Sequence, residues 1–210
     1  MQISKIVITG GPCAGKSSAM ERIRDEFSAL GYRVLFIAET ATELINGGIA
    51  PWTCRSNSDY QTFQMKLQLE KENVYENAAK SMDCEKILIV CDRGAIDSKA
   101  YMTKEDFYAL VEDMNTDEVA LRDRYDAVFH LVTAAKGAEE FYTTANNTAR
   151  TETAQQAAEL DDRIIDAWSC HRYHQIIDNS TDFENKLKRL SDSIQHFLKK
   201  NTESTDSEKR

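Results

Sequence analysis

Residues 8–18 read ITGGPCAGKSS, and this stretch decides how the rest of the chain is read. It closes an apolar run, ISKIVIT (3–9), and opens an amphipathic segment expected to be helical from about residue 15 to 30 and to stop at Gly31. Gly10, Gly11, Pro12, Cys13, Ala14, Gly15, Lys16 and Ser17 fit G-x-x-x-x-G-K-[ST] in the strand-then-helix context that the pattern needs. Glycines let backbone N–H groups curl round phosphates, and the following helix N-terminus adds partial positive charge. Lys16 then reaches the β- and γ-phosphates, and the Ser17 hydroxyl ligates Mg²⁺, with Ser18 beside it. A chance glycine-rich turn is the alternative, and it explains neither the Lys-Ser pair nor the context. Cys13 sits where a helix N-terminus can activate a thiol, although a small residue tolerated in a tight loop is the plainer reading.

Four more short apolar runs follow: RVLFIA (33–38), KILIVC (86–91), AVFHLVT (127–133) and HQIID (174–178). Each suits a buried parallel strand and is too short for a helix. Helical stretches separate them. Ser58 with Gln61 has capping-box spacing and opens a helix toward Met82. Thr103 with Asp106 opens one that carries Phe107, Leu110, Val111 and Met114 on one side. Thr153 with Gln156 opens another to about Cys170, and 182–199 form the last. Strands alternating with helices imply an α/β fold of the P-loop NTPase, kinase-like type: a five-stranded parallel sheet with helices on both faces. One domain over 1–198 accounts for the length, and KKNTESTDSEKR (199–210) reads as a disordered polar tail.

With 41% hydrophobic and 29% charged residues the chain is ordinary globular material. A net charge of -9 argues against nucleic acid or an anionic membrane as the main partner. Five scattered cysteines without a C-x-x-C pair, and no signal peptide, suit a reducing, cytoplasmic setting. Ile87–Cys91 is far too short to span a bilayer.

In open parallel sheets ligands lie beyond the carboxyl ends of the strands. The second strand delivers Glu39 there, either a base for an acceptor hydroxyl or the cap of a helix near Thr42. The third delivers Asp92-Arg93-Gly94: Asp92 as the second Mg²⁺ carboxylate, Arg93 as a phosphate or acceptor partner. Mechanical ATPases usually carry Asp-Glu at this point; Asp-Arg is the habit of small-molecule kinases such as thymidylate kinase. After the fourth strand, 134–162 are expected to form a mobile lid that brings Arg150 onto the transferring phosphate, Arg163 being the weaker candidate. After the fifth, Asn179 and Ser180 border the nucleotide base. Asn179 to Asp182 loosely echoes the guanine-reading N-K-x-D, with Ser180 in place of Lys; Asp182 as a helix cap is the simpler role. Cys170, His171 and His174 lack a fourth partner, so no structural zinc is expected.

Together these residues resemble the AAA domain family shared by NadR-type ribosylnicotinamide kinases and the TRPL-translocation-defect protein. The resemblance runs through ITGGPCAGKSS, AETATELI (38–45), IVCDRGAIDSKAYM (89–102), residues 122–153, ELDDRIIDAW (159–168) and IIDNSTDFENK (176–186). It implies a P-loop kinase-like fold with Glu39 as base, Asp92 and Arg93 as the acidic-Arg motif and Arg150 in the lid. Thr42 stands in the stretch where NadR-type kinases commonly carry an Arg. The expected function is Mg²⁺–ATP-dependent phosphoryl transfer to a small hydroxyl-bearing, nucleoside-like metabolite, with Phe63, Gln64 and Gln68 as candidate acceptor walls. The alternative is an ATP- or GTP-dependent switch without metabolite turnover.

Overall fold

A computed structural model describes residues 1–138 and 153–208, with side chains through residue 201. Five parallel strands, β1 Gln2–Gly10, β2 Arg33–Ile37, β3 Lys86–Asp92, β4 Ala127–Leu131 and β5 His174–Ile177, make one sheet in the order β2-β3-β1-β4-β5. The central strand β1 pairs Ile8 with Asp92 on one side and with Phe129 on the other. The chain therefore leaves β1 in one direction, returns through β3, and crosses to β4. The carboxyl end of β1 is the switch point where such sheets bind ligands.

Alternation along the strands builds two cores. Val7, Ile87, Ile89 and Cys91 pack with Met65, Phe107, Ile164 and Trp168 on one face. Ile6, Ile8, Leu88 and Val90 pack with Ile23, Phe27, Phe129, Ile194 and Phe197 on the other. Successive side chains of a strand point to opposite faces, so strands covered on both sides are apolar throughout. Helices α1 (Lys16–Ala29) and α7 (Phe183–Glu208) cover the second face. The long α3 (Asn57–Lys80), α4 (Lys104–Asp113) and α6 (Ala154–Trp168) cover the first. Short α2 (Thr40–Asn46), a 3₁₀ segment Ala95–Tyr101 and short α5 (Glu118–Arg122) complete the described elements.

All five strands fall where the sequence places them, as do the caps Thr103 and Thr153, the latter with Gln156 in a reciprocal capping box. Two expectations need correction. The hydroxyl that opens α3 is Ser56, accepting from the Asp59 N–H at 3.0 Å; Ser58 lies inside the first turn. Helix α7 does not end at Lys199 but runs to Glu208. Its packed stripe ends at Leu198, and the following residues contain neither Gly nor Pro to stop it. Among the described residues no helix is long and apolar enough to cross a membrane.

Candidate nucleotide and acceptor site

The loop between β1 and α1 owes its shape to its glycines. Gly10 has φ 146°, and Gly15, the residue that caps α1, has φ 91° in the left-handed region. Cys13, at φ 58°, is held there without being glycine, a strained conformation that surrounding contacts must maintain. Some of those contacts come from the end of β4: the Thr133 hydroxyl donates to the Pro12 carbonyl, and Ala134 N–H to the Cys13 carbonyl at 3.3 Å. Lys16, the first residue of α1, is buried, and Ser17 is exposed beside it.

Next to the loop, β2 and β3 place an ion pair across their ends. Arg93 Nε donates to Glu39 Oε1 at 2.5 Å, and the Thr42 hydroxyl donates to Glu39 Oε2 at 2.6 Å. Glu39 occupies the cap position of α2, but its side chain makes no capping bond; its carboxylate is held by Arg93 and Thr42 instead. Burial alone would raise its pKa, but the charges of Arg93 and Lys16 outweigh that and hold it well below the usual carboxylate range. Arg93 itself sits at φ 69°. Burial works against its charge, while Tyr101, Glu39 and Asp97 keep it firmly protonated.

Asp97 is what holds this turn. It is fully buried, and its oxygens accept from the Thr9 hydroxyl, from Gly94 N–H at 2.9 Å and from Trp168 Nε1 at 3.2 Å, with Arg93 Nη1 at 3.4 Å. Asp92 differs. Burial pushes its pKa up despite Lys16, with Glu39 adding to the rise. Its Oδ1 is buried without a hydrogen-bond partner among the described residues. A buried carboxylate oxygen without a donor, with a second carboxylate near it, is ligand chemistry for a divalent cation, so the residues present fit Mg²⁺. Asp92 and Ser17 would hold it, and its chemistry would be to neutralise phosphate charge.

Behind the loop stands a clamp that sequence reading did not find. Asp161 of α6 is fully buried, and its Oδ1 accepts from Gly11 N–H at 2.8 Å and Thr133 N–H at 3.2 Å and bonds His130 Nε2 at 2.9 Å. Lys136 reaches its Oδ2 at 3.1 Å. Burial opposes its charge, yet these bonds, led by His130, hold its pKa down. In sequence, ELDDR looks like a solvated charge run. Lys186 was equally hidden in an amphipathic helix. Its buried ammonium donates to Val132 O at 2.6 Å, Asn179 Oδ1 at 2.7 Å and Ala14 O at 3.3 Å, and burial lowers its pKa to about 8.

Asn179, expected at the nucleotide base, spends its amide on bracing. Its Nδ2 donates to Thr133 O at 2.8 Å and Lys136 O at 2.7 Å. The exposed Ser180 hydroxyl donates to Asp178 at 2.6 Å. Asp182 caps α7, its Oδ1 accepting from Asn185 N–H at 2.9 Å. Cys170 is exposed, and both His171 ring nitrogens are used, on Tyr125 O and Tyr173 N–H. Arg150 and residues 139–152 of the expected lid lie outside the described residues; residues 154–162 of it, and Arg163, lie on α6.

A doubly covered parallel sheet with a glycine-rich phosphate loop after its central strand defines a P-loop NTPase of kinase-like fold. The chain belongs to the AAA domain family, which it matches over residues 5–186. Among solved structures it is similar to deoxyadenosine kinase from M. mycoides with bound dATP. That similarity has a TM-score of 0.58 and 17% identity, and covers 91% of this chain and 99% of that one. No curated protein shows a significant match.

Proposed function

We propose that the protein transfers the γ-phosphoryl group of Mg²⁺–ATP to a hydroxyl of a small, nucleoside-like metabolite. The observation that carries this reading is Glu39, held ionised by Arg93 at the same sheet edge as Lys16 and Asp92. An ionised carboxylate offers four lone-pair sites, and Arg93 and Thr42 use two of them. The others can accept the acceptor's O–H. With so low a pKa, Glu39 orients the hydroxyl and takes its proton late, as the new O–P bond forms and the bridge to ADP breaks. A loose phosphoryl-transfer transition state asks for no more. Lys16 and Arg93, with Arg150 as the lid residue, would balance charge on the transferring group.

The fold of a deoxyadenosine kinase accommodates such chemistry, but at 17% identity it speaks for the fold alone. A guanine-reading switch would rest on Asn179 and Asp182, whose side chains are engaged in bracing and capping. Glu39→Gln tests the reading. Turnover should fall by about 10²–10⁴-fold, with ATP affinity by calorimetry kept within a factor of about three, a margin that turns on Lys16 and the loop amides rather than Glu39. A Gln variant that turns over at the wild-type rate would remove Glu39 from the chemistry.

A further inference from the structure

Lys186, in the first turn of α7, meets the phosphate loop at the Ala14 carbonyl, 3.3 Å away. It is only 3% exposed. An ammonium has three N–H donors, and here three uncharged oxygens take them: Ala14 O, Val132 O at 2.6 Å and Asn179 Oδ1 at 2.7 Å. Lys186 thereby ties together the loop, the end of β4 and the end of β5. It forms no ion pair among the described residues.

Two carboxylates lie near enough to act on it, Asp161 of α6 and Asp178 after β5, and both are engaged elsewhere. Asp161 serves the Gly11 and Thr133 amides, His130 and Lys136. Asp178 serves Ser180 and Arg189, and Arg189 itself opposes the charge of Lys186. A buried cation is costly unless an anion balances it, and attraction between charges reaches well past contact distance where water is excluded. The chain leaves this ammonium without an anion of its own. It stands against the loop whose glycines and helix N-terminus suit phosphates, so the anion that balances it is the ligand's.

We infer that Lys186 is a positioning residue of the nucleotide site, holding the Ala14 carbonyl in place and supplying a buried positive charge whose counter-ion is the bound triphosphate. This rests on the loop holding a triphosphate, and not on transfer to an acceptor. It has a pH signature. Burial lowers the Lys186 pKa to about 8 in the empty protein, and a triphosphate beside it would raise that value again. Binding above pH 8 therefore takes up protons, and affinity falls as pH rises and the empty protein loses the charge. Asp161 and Asp178, both held below the usual carboxylate range, stay ionised throughout this window. Cys13 and Lys16 of the loop, Lys136 after β4 and Arg189 are the other titratable groups around it, so variants at position 186 must assign the protons.

The full chain in excess Mg²⁺ is titrated calorimetrically with ATP, and with GTP, in buffers of different ionisation enthalpy. The wild type should take up about half a proton per triphosphate near pH 8.5, and lose about tenfold in affinity between about pH 7 and pH 9.5. Lys186→Met should bind about tenfold more weakly near pH 7, with the proton uptake and the pH dependence gone. Lys186→Arg, charged throughout, should also take up no proton, yet bind more tightly than the Met variant near pH 9.5. A lysine that only braces the loop would weaken binding equally at every pH and leave the uptake in place. Absence of uptake by the wild type, a measurement that needs no variant to fold, overturns the inference. So does uptake that persists in Lys186→Met, or a wild type that binds neither nucleotide. Binding with uptake but no transfer to any nucleoside would sink the kinase reading and leave Lys186 in its role; transfer without uptake would do the reverse.

Discussion

Gly10 has no room for a β-carbon. A Cβ built there would stand 2.1 Å from the Leu131 carbonyl oxygen, a backbone atom of the paired strand β4 that cannot swing away. Gly15 would meet only the Phe183 ring, at 2.5 Å, but its φ of 91° carries its own penalty for any other residue. Gly10→Ala is therefore the more damaging change, costing at least about 2 kcal/mol and most of the triphosphate affinity. Urea unfolding paired with an ATP titration checks it; a variant with unchanged stability would mean that β4 yields at this point. Lys16→Ala tests the proposed phosphate contact of this buried lysine apart from folding. Triphosphate affinity should fall at least about a hundredfold, as expected for losing a charge-assisted contact of about 3 kcal/mol, while the melting temperature in the absence of nucleotide stays within a few degrees.

At the scale of elements, α6 and the end of β4 hold the phosphate loop in register. One carboxylate oxygen of Asp161 serves the Gly11 and Thr133 amides and His130 together. Asp161→Ala leaves two buried N–H groups unsatisfied and should cost about 2–4 kcal/mol, with a raised KM for ATP. Asp161→Asn keeps one acceptor oxygen and should fall between. Thermal unfolding of the three proteins gives the order, and an Ala variant as stable as wild type would show that the clamp is dispensable. Gln68 plays the corresponding part on the other face, tying α3 to Thr40 and to the strained Arg93.

Across the whole molecule, buried polar groups are threaded between the sheet and its helices. Beneath α3, buried Lys5 of β1 meets Glu72 at 3.1 Å, and Glu72 also accepts from Tyr125 at 2.7 Å and Arg124 at 3.2 Å. On edge strand β5, His174 has Nε2 buried without a partner among the described residues, and burial with His130 and His171 nearby lowers its pKa to about 4. The unfolded chain protonates this histidine near its ordinary 6.5, and the folded one only near 4. Between those values the unfolded state binds more protons, so stability falls as pH drops from 6.5 toward 4. Because His174 is partly exposed, solvent screening reduces the part due to it to about 1–2 kcal/mol. His174→Phe should flatten the acid limb of unfolding free energy against pH by that amount; an unchanged limb would place the titration elsewhere.

The order of elements, the phosphate loop and the carboxylates at the strand ends were legible in the chain, because each depends on local pattern. A run such as ILIVC can only be a covered strand, and G-x-x-x-x-G-K-S specifies its own turn. The Ser56 cap, the extension of α7 and the short α5 escaped, since several hydroxyls compete for each start and nothing local marks the end. Asp161, Lys186 and the bracing role of Asn179 were illegible for a stronger reason. As letters they are ordinary charges and amides on helices or loops, and only the packing of α6 and α7 against the strand ends buries them. The sequence by itself determined that a glycine-rich phosphate-loop motif joins β1 to α1. Tertiary structure decided which buried polar groups brace that loop and that the Asp92 oxygen beside it is left without a donor, because burial and pairing arise from residues up to 172 positions apart, as with Lys186 and Ala14.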